Sequence, residues 1–550
     1  MVDIRSKKGL PEGWIKTKLG NLCEVVRGGS PRPMGSPKYF NGNIPFIKIS
    51  DVTKINTKNI YDSNTKVNEA GSKKSRLLPK GSLILSNSGT ICVPKFLGVD
   101  ACIHDGFVSF LNLDNAVSKE YLFHFFHFIR PYIIQKHKQG VTQVNLNTKI
   151  VSEFDFLFPP TEEQHHIVVK IEELFSELDN GIENLKKARE QLKIYRQAVL
   201  KYAFEGKLNK EWRTQQKRAG NPPEPAEKLL EQIKVEREKH FKKQLEDWKR
   251  ACEQAKADGK KKPASPKKPK ELSALTEREL AELPELPFGW GWIKSGNLFS
   301  FVTSGSRGWA KYYSSNGSIF IRIANLDFDS LKIDLKRDNI QFVKPPSGAE
   351  GTRTKTEKGD FLFSITGYLG MFAITPDLGD SYINQHIALA RPFNGFNKEY
   401  VGYYCIAKTG GFFHLNKNQK GATKAGLTLE DIRTFPIPLC PVSEQQQTVS
   451  EIESRLSICD QLEQTIEDSL KKAEALRQSI LKKAFAGELT KDWRGEHPEL
   501  ITGENSAKKL LEKIKAEKAL SIAIRKKPQS KKMKSKKVKN EQSRNKKTDS

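Results

Sequence analysis

The chain carries most of its sequence twice, and a repeat of this size dictates two similar structural units before any motif is weighed. LPEGWIKTKLGNL at 10–22 returns as LPFGWGWIKSGNL at 286–298. IPFIKISDV at 44–52 matches SIFIRIANL at 318–326, and GSLILSNSG at 81–89 matches GDFLFSITG at 359–367. The separation drifts from 276 to 274 to 278 residues, as short loop insertions within a common fold would make it. QAVLKYAFEGKLNKEWR at 197–213 and QSILKKAFAGELTKDWR at 478–494 agree at 10 of 17 positions, and 226–236 matches 507–517 at the same offset. Each half is a divergent globular segment, a long helical segment, and a short helix with a charged extension.

Within the globular segments, short runs such as 46–49 and 320–323, bounded by Gly, Pro and Asn, read as strands. Helical stretches at 119–135 and 398–408 interrupt them, so each segment is expected to be an α+β domain. Phe123, Phe125, Phe126 and Phe128 on the first of these stretches read as a packed helix under a sheet. By contrast, 161–204 lacks proline and places Ile171, Leu178, Leu185, Leu192 and Val199 seven residues apart, a coiled-coil seam. The second copy gives Ile452, Cys459, Ile466, Ala473 and Ile480, with Leu462 and Leu476 near the d positions. The two seams are expected to bury against each other, the alternative being that each helix packs on its own globular domain. Thr161 before Gln164, and Ser443 before Gln446, have the capping-box spacing directly after a proline, which marks both helix starts.

Charge and cysteine usage narrow the function. Lys and Arg exceed Asp and Glu by 93 to 65, which points to a polyanionic partner. Much of the excess lies in two stretches, 256–270 and 525–550, expected to be a disordered linker and tail. The seven cysteines form no CxxC pair, so no metal site is expected. Neither a signal peptide nor a membrane span is read, and a cytoplasmic location is expected. There is no GxxxxGK[ST] loop and no dinucleotide or methyl-donor fingerprint. Asn221-Pro222-Pro223 lacks the aromatic that an amino-methyltransferase motif needs, and His165-His166 reads as solvated helix.

In their order, duplication and spacing these motifs resemble the specificity subunit of type I restriction-modification systems. The likeness rests on LPEGW with LGNL opening each half, the Gly29-Ser30 and Gly305-Ser306 turns, the Pro and Glu-Gln entry into a long helix, and the AFEGKL and AFAGEL endings followed by Trp-Arg. It covers roughly 10–240 and 284–520. The resemblance implies a non-catalytic reader of double-stranded DNA: two similar α+β target-recognition domains joined by two long antiparallel coiled-coil helices, related by a pseudo-twofold repeat. It further implies two methyltransferase subunits docked on the helices, and restriction and translocation subunits recruited through them. S-adenosylmethionine, ATP and magnesium would belong to those partners, and none to this chain. The expected layout is a first recognition domain at 1–158, a long helix at 159–210, a helix and Lys/Pro-rich linker at 211–283, a second recognition domain at 284–440, a long helix at 441–490, a short helix at 491–524 and the tail at 525–550.

Direct readout needs side chains that reach base edges. Candidates in the glycine turns and the loops after the paired strands are Arg27, Ser30, Arg32, Lys48, Lys73, Lys74, Arg76, Ser86 and Ser88 in the first domain. Their counterparts are Ser306, Arg307, Lys311, Arg322, Arg353, Lys355, Ser364 and Thr366. Gly28-Gly29 and Ser304-Gly305 fit either a turn with positive φ or close backbone approach to DNA. A 44-residue helix spans about 66 Å at about 1.5 Å per residue, more than a duplex turn of about 34 Å, so a split target with an unread spacer is expected. A self-contained nuclease or methylase, or a coiled-coil scaffold for proteins or RNA, are the competing classes.

Overall fold

A computed structural model describes residues 9–55, 57–138, 146–336, 340–346, 348–417 and 426–520. The basic tail at 525–550 lies outside the described residues. The chain divides into two units, Met1–Leu185 with Asp468–Ser550, and Lys186–Glu467. Both long helices, Thr161–Phe204 and Val442–Phe485, pass from one unit to the other, so each unit owns half of each helix.

The globular modules share one topology. In the first, a five-stranded sheet runs Glu24–Arg27, Phe107–Leu111, Leu83–Ser86, Pro94–Leu97, Asn59–Ile60. In the second, a four-stranded sheet runs Phe299–Ser304, Ile387–Pro392, Phe361–Ser364, Phe372–Ile374, which is the same order without the last strand. A second sheet in each module contains a parallel pair, Phe46 beside Cys102 and Phe320 beside Tyr382. A two-stranded ribbon then closes each module's ends, Ile15–Lys18 with Asp155–Phe158 and Gly291–Lys294 with Pro436–Leu439. The helix Lys119–Lys138 packs Phe123, Phe125 and Phe126 into the core, as expected for a helix under a sheet. Phe128 stacks on Phe485 at the end of the second long helix, with ring centroids 4.9 Å apart.

Within each unit the helix halves run antiparallel. In the first unit Glu163 pairs with Arg494 and Asp179 with Arg477, one number rising as the other falls. In the second unit Arg196 meets Asp460 and Glu463, and Arg213 meets Glu444. This register sets Leu178 opposite Ile480 and Leu185 opposite Ala473 in the first unit, and Leu192 opposite Ile466 and Val199 opposite Cys459 in the second. Ile171, Val199, Ile452, Cys459, Ile466, Ala473 and Ile480 are buried, while Leu178, Leu185 and Leu192 are half-buried. Leu462 and Leu476, read as d-type residues, are instead exposed, and the second row of that helix's seam is the half-buried Leu456, Glu463, Leu470 and Arg477, which follow the a positions by four residues rather than three.

The repeated motifs meet in a clasp that the spacing of any one motif does not reveal. Glu163, in the first turn of the first long helix, is wholly buried. It accepts hydrogen bonds from the Trp14 indole (2.7 Å), the Thr490 hydroxyl (2.7 Å) and the Arg494 guanidinium. In the second unit Glu444 accepts from the Trp290 indole (2.9 Å) and from Arg213, and Asn209 donates to Thr448 at 2.6 Å. Each clasp therefore joins the opening of one half to the closing Trp-Arg segment of the other. A buried carboxylate is tolerable only when paired and hydrogen-bonded, and here three donors surround Glu163 and two surround Glu444. Beyond the clasp, Lys518 donates to the carbonyls of Gly20 and Cys23 at 3.1 and 3.2 Å, and the equivalent Arg237 donates to the Asn297 carbonyl at 2.7 Å. Both cations hold the LGNL-type turn of a module from the helix that follows the opposite half's Trp-Arg segment.

Three expectations are corrected here. The buried glutamines after the prolines are Gln164 and Gln445, not Gln446, and neither forms a capping box. Gln164 bonds the Pro159 and Ala116 carbonyls and the Ser118 amide; Gln445 bonds the Cys440 carbonyl and the Asn397 amide. They fasten each helix start to its module. The stretch expected as one short helix at 491–524 holds a helix Lys491–Glu496 and, among the described residues, a second at 507–520. The Lys-rich linker at 256–270 is not a free coil, because it lies along the helix Ala226–Ala257, with Trp248 donating to the Pro263 carbonyl at 3.0 Å.

Candidate nucleic-acid interface

At the same place in both modules a strand end crosses a turn too closely for any side chain. Gly28 donates to the Phe107 carbonyl at 2.9 Å and Gly29 to the Ile103 carbonyl at 3.0 Å. A Cβ on Gly28 would stand 2.2 Å from the His104 carbonyl oxygen. In the second module Gly305 donates to Ile387 at 3.1 Å, and its Cβ would stand 2.1 Å from the Asn384 oxygen. Gly28 and Gly305 have no positive φ, so glycine is required at these two positions for backbone contact within the protein. The structural partner of Gly28 is Gly305, one position off the sequence match.

The junction gathers most of the first module's candidates. Arg27 donates from Nε to the Asp105 carbonyl at 2.7 Å, Ser30 donates to the Asp105 carboxylate at 2.9 Å, and Arg32 lies 3.9 Å from that carboxylate. Burial lowers the pKa of His104, and the positive charges of Arg32, Lys48 and Arg27 add to the effect against the opposing Asp105. Ser88 lies beside Gly106, and the chain at Lys74 and Ser75 runs beside Gly29. Lys73 and Lys74 are exposed, and Arg76 donates to the Arg27 carbonyl at 2.7 Å. The rim is thus a cationic ring around a single His-Asp turn.

The second module carries a different rim on the same frame. Arg353 does what Arg76 does and more, donating to the Ser304 carbonyl (2.8 Å), the Thr303 hydroxyl (2.8 Å) and the Ser306 hydroxyl. Its fork is spent on the junction. Thr366 and His386 Nδ1 share a 2.5 Å hydrogen bond, and the Gln385 amide lies 2.8 Å from His386 Nε2. Lys355 pairs with Asp380 at 2.5 Å, a hydrogen bond that raises its pKa. Arg307 and Lys311 are exposed, and the Lys311 ammonium lies 4.9 Å from the Tyr312 ring centroid. The Arg322 amide donates to Asn325 at 2.9 Å, as the Lys48 amide donates to Asp51, so these two sit at equivalent helix starts.

Two candidates do not reach the rim. Ser86 and Ser364 are wholly buried, and each closes its own loop, donating to the carbonyl of Thr90 or Tyr368 and accepting from the amide of Val93 or Met371. Neither hydroxyl is available to a base edge. Conversely, His104 and Asp105, and Asn384, Gln385 and His386, were not singled out. They follow matching strands, Ala101–Ile103 and Ser381–Ile383, and an offset of 280 residues at Ile103 and Ile383 would have shown them. Among the described residues no three His, Cys, Asp or Glu could hold a metal ion, and no helix is long and apolar enough to cross a membrane.

A family model described as the type I restriction modification DNA specificity domain matches residues 11–193 and 346–472. The type I restriction enzyme EcoBI specificity subunit of Escherichia coli is 24% identical over 529 residues, covering 94% of this chain and 95% of that protein. The EcoKI specificity subunit of Escherichia coli strain K12 is 25% identical over 535 residues, covering 93% and 97%. A chain solved in work on complex assembly and conformational transition of the type I R-M system shares the fold, with a TM-score of 0.55 at 18% identity, covering 87% of this chain and 99% of that one.

Proposed function

The chain belongs to the type I restriction modification DNA specificity family, and on that premise we propose that its two rims read the two unlike halves of one split DNA target. It is a specificity subunit without catalysis of its own, recognising DNA sequence and associating with the other subunits of its complex. The observation that carries the two-rim reading is the contrast at one junction: a glycine crossing shared by both modules, with Arg27, Arg32 and Lys48 around it in one and Gln385 and His386 in the other. Arginine and lysine suit the O6 and N7 acceptors of guanine, and Asn or Gln amides suit adenine. The first module is therefore assigned the more G-rich half-site and the second a half-site containing adenine.

The antiparallel long helices serve as the ruler and as the seat of two methyltransferase subunits, with restriction and translocation subunits joining through these. S-adenosylmethionine, ATP and magnesium are assigned to the partners. Mapping methylated adenines in the host genome supplies the target, and a mobility-shift assay of the chain with its methyltransferase subunits then tests the ruler. Lengthening the spacer by one base pair is expected to abolish specific binding; indifference to spacer length refutes the ruler. Methylation by this chain alone would refute the non-catalytic role, and absence of any duplex binding would turn the rims into protein-docking sites.

A further inference from the structure

The segment after residue 237 has no counterpart in the repeat, which matches only 226–236 with 507–517. From Gly259 the chain reverses and runs back along the helix Ala226–Ala257. Trp248 holds the Pro263 carbonyl, Lys268 pairs with Glu238, and Lys234 pairs with Glu271 at 3.1 Å. Leu272 then exchanges two hydrogen bonds with the Asn297 side chain, at 2.9 and 3.1 Å, which fixes the far end to the module.

The burial pattern explains how so polar a strand stays in place. Pro263, Pro266, Pro269, Leu272 and Leu275 are half-buried and the residues between them are exposed, a period of three. That is the period of a polyproline II helix, whose prolines fall on one face. The facing stripe on the α-helix is Phe241, Leu245, Trp248, Cys252 and Ala255, all half-buried, at helical spacing. A run of lysines kept only for solvation has no use for a proline stripe that stiffens it.

The outward faces are basic. Residues 239–270 hold 12 Lys and Arg against four Asp and Glu. Lys242, Lys249 and Lys256 recur every seven residues on the α-helix and are exposed, as are Lys261, Lys267 and Lys270 on the strap. Among the described residues none of these six makes an ion pair, whereas Arg250, Lys260 and Lys268 do. Seven residues of helix are about 10.5 Å, close to three base-pair steps of about 3.4 Å each.

We propose that this helix and polyproline hairpin is a second, sequence-independent DNA-contact surface, gripping duplex phosphates outside the two half-sites. It rests on the reading of the chain as a DNA-specificity subunit. Phosphate contacts add affinity and register without adding sequence information. Fixing the lysines on a stiff hairpin lowers the entropy cost of forming several contacts at once.

The test is the salt dependence of binding, measured on the chain with its methyltransferase subunits and a duplex of arbitrary sequence between about 50 and about 200 mM salt. Changing Lys242, Lys249, Lys256, Lys261, Lys267 and Lys270 together to Gln should flatten the slope of log affinity against log salt by about 3 to 5, since each phosphate contact contributes about 0.9. Changing the same six to Arg should leave the slope as it was, which separates charge from packing. A Gln variant whose slope stays within about 0.5 of the parent overturns the proposal. So does one that keeps its slope but loses its methyltransferase subunits, for the hairpin is then a protein-docking surface. If the unaltered complex binds no duplex at all, the specificity reading itself fails, an outcome distinct from an unchanged slope.

Discussion

Replacing Glu163 with Ala tests whether the clasp, rather than the helix pairing alone, holds the closing segment on the first unit. Three donors lose their acceptor: the Trp14 indole at 2.7 Å, the Thr490 hydroxyl at 2.7 Å and the Arg494 guanidinium. The Arg494 side chain is only 11% exposed, so it is left as a nearly buried charge without its carboxylate. Removing one partner of a buried pair costs about 3 to 5 kcal/mol. The loss should fall on local opening of the segment from Lys491 through 520, whose amides include the turn around buried Ile514. By the relation of about 1.4 kcal/mol per tenfold, their hydrogen exchange should speed up by roughly two to three and a half orders of magnitude. The duplicated geometry supplies the control. Glu444→Ala removes the acceptor of Trp290 and Arg213, so it should speed exchange near Ile233 and leave the Ile514 region alone. If Glu163→Ala changes exchange near Ile514 by less than about threefold, or if both variants act on the same segment, the clasp does not carry this load.

The glycine junction gives a local specificity test: Gly28→Ala or Gly305→Ala puts a methyl 2.2 or 2.1 Å from a carbonyl oxygen, and each should cost about 1 to 3 kcal/mol and abolish reading of its own half-site only. Methylation assays on targets altered in one half at a time check it, and retention of full selectivity by both variants contradicts it. Arg237→Met should loosen the turn at 295–298, costing about 1 to 3 kcal/mol because the Asn297 carbonyl loses a charged donor, visible as faster exchange there. Stability should also depend on pH through the first module's buried histidines. Burial, with Lys58 adding, holds His124 down to about 4, and burial holds His127 to about 3. The unfolded chain takes up these protons near about 6.5, so stability is present above that pH and is lost as pH falls toward 4, at up to about 1.4 kcal/mol per unit for each ring. Denaturant midpoints at about pH 7, 6 and 5 should fall in that order, less steeply in His124→Phe, and a flat series would disprove it.

What could be read in the amino-acid order and what could not follow from the range of the interactions involved. The long helices and their seam were legible because a seven-residue period is local, and Ile171, Cys459 and Ile480 lie buried where that period puts them. Leu462 and Leu476 were misplaced because a period names a stripe without saying how much of its width a partner covers, and here both leucines stay exposed. Trp14, Glu163 and Arg494 each stood out as part of a repeated motif, yet the Glu163–Arg494 contact alone spans 331 residues and no spacing rule reaches that far. Separation along the chain likewise hid the role of Gly28, whose constraint comes from the His104 carbonyl and not from its own φ. Ser86 failed as a base-reading candidate for a related reason: a loop that must close on itself uses the hydroxyl first, and the repeat at Ser364 preserved that closure. Matching positions in the two halves therefore mark what the frame needs, and the positions where the frame matches and the residues differ, His104-Asp105 against Asn384-Gln385-His386, are where the two modules can differ in what they read.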